Sequence, residues 1–205
     1  MNAPLSIDDV RRDPLRLAAN LRTAAGLGFT VRPLTPRDGG ILGKYFLGLS
    51  ERTKALYAPH PFDLATADAL CAGTDYADTI RFIAVLPGGP RGKGIGYIIL
   101  KLGLTPGERE RYPRAGVEVD PSLDCLVAPS VADAYQGLGL GTPCLRHVMG
   151  AARQLGRRYC LLMGGVYADN ERAVQFYRKA GFRLAASFTL PQAGARPAFD
   201  MYLAL

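Results

Sequence analysis

Histidine and cysteine are scarce in this chain. There are two histidines and four cysteines, Cys71, Cys125, Cys144 and Cys160, with no C-x-x-C among them. A zinc centre needs clustered ligands, so no metal is expected, and the cysteines, each set singly in an apolar stretch, read as reduced core thiols. No run approaches the ~18 apolar residues that a membrane-spanning helix needs. No basic-then-apolar stretch opens the sequence as a secretory signal would, and Asp8, Asp9 and Asp13 argue against a transit peptide. The expectation is a cytoplasmic protein with no membrane partner. Internal repeats, low-complexity linkers and blocks of like charge are missing too. The net charge of +7 is dispersed, without the aromatic-interleaved basic stripe that reads nucleic acid, so no nucleic-acid partner is expected.

What is present suits one α/β domain: 205 residues, 48% of them hydrophobic, are enough to bury a real core. Residues 1–27 read as an Arg-rich amphipathic helical extension interrupted at Pro14, and 28–205 as the domain proper. Phe29 to Leu34 alternates like a strand. Thr35-Pro36-Arg37-Asp38 then offers an N-cap, a proline at the first helical position and an acid in the first turn. The pattern from Ile41 predicts one helix stopped by Pro59 and Pro61, and a second helix is expected over Leu64 to Cys71. Ile80 to Leu86 and Gly94 to Leu102 form a hairpin with a floppy, basic tip, Pro87 to Lys93. Thr105 to Ala115 reads as a polar loop, and Val117 onward as strand ending near Val131. Pro129 removes a ladder donor there, which predicts a bulge or a splayed sheet. A helix with Leu145, Val148, Met149, Ala152 and Leu155 on one face follows, then a strand at Tyr159 to Val166, a helix at Glu171 to Ala180 and two closing strands, Gly181 to Phe188 and Pro197 to Leu205.

The stretch VADAYQGLGLGTP, from Val131 to Pro143, places Gly137, Gly139 and Gly141 at the entrance of a helix. A helix N-terminus carries N–H groups without intrahelical partners and about half a positive charge. Stripping side chains from it lets an anion settle on those donors, so the segment reads as a diphosphate cradle; a tight bend with close helix packing is the competing explanation. The spacing G-x-G-x-G is not the G-x-G-x-x-G of dinucleotide folds, and Thr142 after Gly141 is not the Lys of a P-loop.

A second motif decides between these. Gln136-x-x-Gly139-x-Gly141, followed by Asn170-x-x-Ala173-x-x-Phe176-Tyr177-x-x-x-Gly181-Phe182, resembles the GNAT superfamily of N-acetyltransferases. The resemblance is firm over about Leu123 to Phe188 and extends to the element order from Phe29. It implies an α/β (α+β) fold: a mixed, mostly antiparallel central sheet flanked by helices and splayed between two adjacent strands, here those ending near Val131 and Val166. It implies acetyl-CoA as acetyl donor, an amine acceptor on a small molecule or a protein, and direct transfer in a ternary complex. A non-catalytic acetyl-CoA sensor or scaffold is the alternative, and a homodimer is left open.

By the same resemblance, backbone around Val131 and Asp133 meets the pantetheine arm, and the amides of Gln136, Gly137, Leu138, Gly139, Leu140, Gly141 and Thr142 meet the diphosphate. Asn170 contacts the arm, and Tyr177, two turns further along the same helix face, is the general acid for the departing thiolate. The general base is sought among Asp124, Glu118 and Asp120. Asp124, an isolated acid in an apolar run, is the favoured one. Asp133 is read as capping exposed N–H groups rather than as catalytic. His60 falls in the acceptor region and is a candidate substrate contact; His147 reads as inert. The acceptor stretch, about residues 35–79, has six scattered acids, Asp38, Glu51, Asp63, Asp68, Asp75 and Asp78. A pocket for polyamines or aminoglycosides would need such acids concentrated, and the basic balance of the chain favours neutral or anionic amines, or a protein lysine or N-terminus.

Overall fold

A computed structural model describes residues 4–88, 92–190 and 194–205, so part of the basic hairpin tip expected at Pro87 to Lys93 lies outside the described residues. Ser6 and Asp9 close a capping box on α1 (Ile7–Arg12). The helix cannot run through Pro14, which lacks an N–H. One tight turn follows at Pro14–Leu17, and Ala19–Arg22 then forms an edge strand, β1, antiparallel to β2 (Gly28–Pro33). The expected helical extension over 1–27 is therefore helical only in its first half, and a strand of the sheet precedes residue 28. Val10 and Leu17 are buried in the main core.

Two helix boundaries differ from expectation for identifiable reasons. The Thr35 N–H and hydroxyl both donate to the Asp38 carboxylate, which Arg32 grips at two points, 2.7 Å each. Thr35 to Asp38 is thereby a turn, and α2 starts after it, at Gly39–Leu47. The single helix expected up to Pro59 breaks at Gly48, because Ser50 caps a separate α3 (Glu51–Leu56) by accepting from the Thr53 N–H. Asp63 caps α4 (Leu64–Ala72) in the same way.

Strands β3 (Thr79–Leu86) and β4 (Lys93–Leu102) form the expected hairpin. The presumed polar loop after them is a helix, α5 (Pro106–Arg114), with Thr105 before it and proline in its first turn. Strand β5 begins only at Cys125 and ends at Val131, since 117–124 is loop. After a short turn at Asp133–Tyr135 come α6 (Gly141–Gln154), β6 (Tyr159–Leu162), β7 (Val166–Tyr167), α7 (Glu171–Lys179), β8 (Arg183–Leu190) and β9 (Arg196–Ala204).

Strands β1 to β5 pair antiparallel in sequence order, β5 pairs with β6 in parallel, and β6 and β7 both pair antiparallel with β9, whose other edge carries β8. The sheet is mixed and mostly antiparallel, as the motif resemblance implied. Side-chain alternation divides the core between its two faces. Cys125, Val127, Cys160 and Leu162 join Leu145, Val148 and Met149 of α6 on one face. Leu126 and Leu161 turn to the other and meet Tyr112 of α5, while Ile83, Tyr97 and Ile99 pack under α2. All four cysteines are buried and free. No helix of the described residues is long and apolar enough to cross a membrane.

Strands β6 and β7 are one line of chain interrupted by a kink at Gly164 and Gly165, with φ of +70° and +76°. A Cβ on Gly165 would lie 2.7 Å from the Phe188 ring and 2.8 Å from the Phe199 carbonyl oxygen. Gly165→Ala combines a disfavoured φ with a backbone clash and is expected to lower unfolding free energy by at least about 2 kcal/mol, measurable as a shifted urea midpoint.

Candidate active site

The site begins where a ladder ends. β5 and β6 pair from Cys125/Cys160 to Val127/Leu162, and the Met163 N–H still reaches the Val127 carbonyl at 3.0 Å. Beyond that point the glycine kink turns the second strand away while β5 continues to Val131. Backbone groups alternate sides along a strand. Val127 faces β6 and the Ala132 N–H donates to Ile95 of β4, so Pro129 and Val131 face the gap. The missing N–H of Pro129 therefore falls where no strand would have accepted it. Its pairing with Ile98 of β4 is undisturbed, so the expected disruption is a splay on one side, with no bulge on the other.

Through this gap runs a cleft of about 1170 Å³. At one mouth stands the N-terminus of α6. Gly137 and Gly139 adopt φ of +81° and +78°, conformations that suit glycine. Gly141 serves a different need: a Cβ there would approach the Phe176 ring of α7 to 3.0 Å. The bend and the close packing are thus both real, and together they present bare amides. The N–H groups of Gly137, Gly139, Leu140, Gly141 and Thr142 donate no hydrogen bond within the described residues, and no side chain caps α6. Such a row of donors at the positive end of a helix can receive an anion.

Opposite lies α7, capped by Asn170, whose side chain accepts from the Ala173 N–H at 3.3 Å. Tyr177, two turns on, is 8% exposed and lines the cleft. Burial, with a smaller contribution from Cys160, pushes its phenol well above the usual tyrosine range. Its hydroxyl has no hydrogen-bond partner among the described residues, so it enters the cleft as a protonated, unengaged donor.

Gln136 ties the cleft walls together. Its amide nitrogen donates to Thr53 Oγ1 and to the Val131 carbonyl, both at 3.1 Å, and its oxygen accepts from Arg172 at 3.1 Å. Asp133 caps no helix N–H of α6; it holds Ser50, the residue that caps α3. Its carboxylate accepts from the Ser50 N–H (2.9 Å), the Ser50 hydroxyl (2.6 Å) and the Thr53 hydroxyl (2.7 Å). Burial pushes the Asp133 carboxyl up, yet these bonds from Ser50 and Thr53 outweigh it and hold it below the usual value.

The cleft therefore gathers Val131, Gln136, Gly137, Gly139, Leu140, Gly141, Thr142, Asn170 and Tyr177. Leu138 points to solvent, 49% exposed, and Asp133 stands behind the wall. Asp124 is not in the cleft. It sits at the other end of β5, fully buried, where Arg158 (2.9 Å), the Asp120 N–H (2.6 Å) and the Tyr159 N–H (3.1 Å) occupy its oxygens. Glu118 and Asp120 stay at that same end, with Asp120 engaged by Ser122. His60 does not line the cleft either. It bonds the Pro61 carbonyl (2.7 Å) and Tyr97 (3.2 Å) within an aromatic group that includes Phe46 and Phe62, and burial lowers its pKa. That group backs Tyr57, which does line the cleft and donates to the Ala128 carbonyl at 2.9 Å.

Glu108 is the residue that sequence reasoning missed. It lies on α5, 2% exposed, and lines the cleft with Thr105 and Arg111. The signal was present: Thr105-Pro106-Gly107-Glu108 has the Thr-x-x-Glu spacing and first-turn proline of a helix start. Among the described residues no group of three or more His, Cys, Asp or Glu is placed to hold a metal ion.

Residues 125–182 match the Acetyltransferase (GNAT) family. The GNAT domain of S. lividans PAT superposes with a TM-score of 0.73 at 22% identity, over 94% of this chain and 99% of that one. The aminoglycoside acetyltransferase AAC(6')-Ib, solved with coenzyme A and kanamycin, gives a TM-score of 0.63 at 24% identity, over 86% of this chain and 94% of that one. An acetyltransferase from Thermus thermophilus gives 0.61 at 22% identity, over 86% and 97%. No curated protein matches the chain. The match to the family spans the glycines of the α6 entrance and the Tyr177 helix, and the fold that surrounds this segment is the one these solved acetyltransferase domains share.

Asp133 gives this site a pH signature. A carboxyl held below its unfolded value contributes stability that is fully present above that value and is lost as pH falls through the folded one. Asp133→Asn is therefore expected to melt below the wild type at pH 7 and to converge with it below about pH 4, a comparison that thermal unfolding across pH would read.

Proposed function

We propose that this protein is an N-acetyltransferase that moves the acetyl group of acetyl-CoA to a primary amine by direct transfer, with both substrates bound together. The observation that carries this reading is the continuous cleft joining the bare amides of α6 to the unengaged Tyr177 hydroxyl through the parted strands.

The residues present fit acetyl-CoA. Its diphosphate suits the N–H groups of Gly137 and Gly139 to Thr142, with Arg172 alongside. Its amide-bearing arm suits the free side of β5 at Pro129 and Val131, in the manner of an added strand. The bound donor would supply an activated thioester. The Val131 N–H, on the gap side of the strand, is positioned to stabilise negative charge on the acyl oxygen. Tyr177, kept protonated by burial, gives its proton to the leaving sulfur. The retained tyrosine supports turnover over a sensor or scaffold role.

Three measurements test this. Acetyl-CoA at 100 times its dissociation constant is expected to add about 2.7 kcal/mol of stability, with NAD and ATP giving no such shift; the reverse order would sink the cradle. Tyr177→Phe should lower turnover roughly 100-fold or more while calorimetry finds acetyl-CoA affinity little changed. Gly139→Glu, folded by circular dichroism, should not bind acetyl-CoA, because bulk and like charge fill the cradle.

A further inference from the structure

The amine must lose a proton before it can attack, and the residues in the cleft offer one place for it. Glu108 is the sole acidic side chain among the described residues lining the cleft; its charged companions there, Arg52, Arg111, Arg172 and Lys179, are all cationic. Its helix packs on the sheet face opposite α6, since Tyr112 of α5 meets Leu126 and Leu161 there. Glu108 therefore stands at the end of the gap remote from the phosphate cradle, where an acceptor must enter.

Its hydrogen bonding leaves it usable. Oε1 accepts from the Gly164 N–H at 2.9 Å and from Arg111 at 3.3 Å; among the described residues Oε2 accepts only from the Thr105 hydroxyl. An ionised carboxylate has about four lone-pair directions, so one on Oε2 stays open. Arg111 does not neutralise the group outright. Its two short contacts, 2.7 and 3.0 Å, go to Asp200, and the one to Glu108 is the longest.

Resting on the acetyl-transfer reading, we propose that Glu108 is the catalytic residue that docks the acceptor's ammonium group and takes its proton, with a cationic primary amine as the substrate class. Glu108 Oε2 receives one proton from the ammonium and releases it to water. The freed nitrogen lone pair forms the C–N bond as the C–S bond breaks. Tyr177 protonates the sulfur and is refilled by the second proton that the nitrogen sheds. The sum is ammonium plus thioester giving amide, CoA thiol and one proton.

Glu108→Gln keeps the size and an acceptor for Gly164 while removing the charge. With an amine that the wild type acetylates, found by CoA thiol release across n-propylamine, ethanolamine, lysine and spermidine, kcat/KM for the amine is expected to fall roughly 100-fold or more. The acid limb of its pH profile should vanish, and acetyl-CoA affinity by calorimetry should stay within about twofold, since general-base loss acts on the proton step. Glu108→Asp, which retains the charge on a shorter stem, should keep the acid limb at reduced rate and covers the case in which the Gln variant does not fold. A Gln variant with kcat/KM within threefold of wild type, or an Asp variant that loses the acid limb, overturns the assignment of Glu108 alone. A wild type that releases no CoA with any amine and shows no acetyl-CoA stabilisation overturns the transfer reading and this inference with it.

Discussion

Everything at the site depends on backbone hydrogen bonds that two neighbouring strands do not make. β5 and β6 pair only as far as Val127 and Leu162, and an unpaired strand edge inside a protein must be resolved by water, a side chain or a ligand. Here the resolution is divided. Pro129 removes one donor from the gap side, Gln136 covers the Val131 carbonyl, and Glu108 accepts the Gly164 N–H on the far strand. The opening is thus held from both sides by named contacts, and the cleft is a built feature of the sheet rather than a packing defect.

A second consequence is mechanical. Asp133 and Gln136 both fasten the Ser50–Thr53 turn of α3 to the loop that leads into α6. Tyr57, just beyond α3, is fastened to β5 at Ala128. The α3 wall of the cleft and the loop that enters α6 therefore share one polar network, of the kind whose energetics are not pairwise sums. Neither wall can shift without disturbing the other.

The sequence disclosed the glycine-lined half of the cleft more readily than the half under α5, and the difference is physical. Glycines at a helix entrance and the Asn170 to Phe182 motif are local signals, contiguous in the chain, so cradle and Tyr177 helix were legible. The carboxylate of the cleft depends on where α5 docks, which is settled by Tyr112 packing on Leu126 and Leu161. No local pattern carries that. Asp124 misled for the same reason: an acid in an apolar run fits an activated base as well as a buried ion pair, and only the arrival of Arg158, from the loop before β6, decides. His60 likewise joined an aromatic cluster assembled from three separate segments. The first 27 residues held helix-favouring composition through Leu21, but pairing with β2 overrode it.

The burial of the cysteines has a practical side. Cys71 and Cys144 are pushed up by burial to about 11 and about 12, and Cys160 well above the ordinary thiol range, while Cys125 lies beside Cys160 in the same ladder with no exposed surface. A reagent attacks the thiolate it can reach, and the folded protein presents none at neutral pH. A chromogenic disulfide added to a working solution would consequently titrate liberated CoA against a blank background. The same chemistry turned on the chain after denaturant would count four thiols, making loss of fold and appearance of product separately visible with one dye.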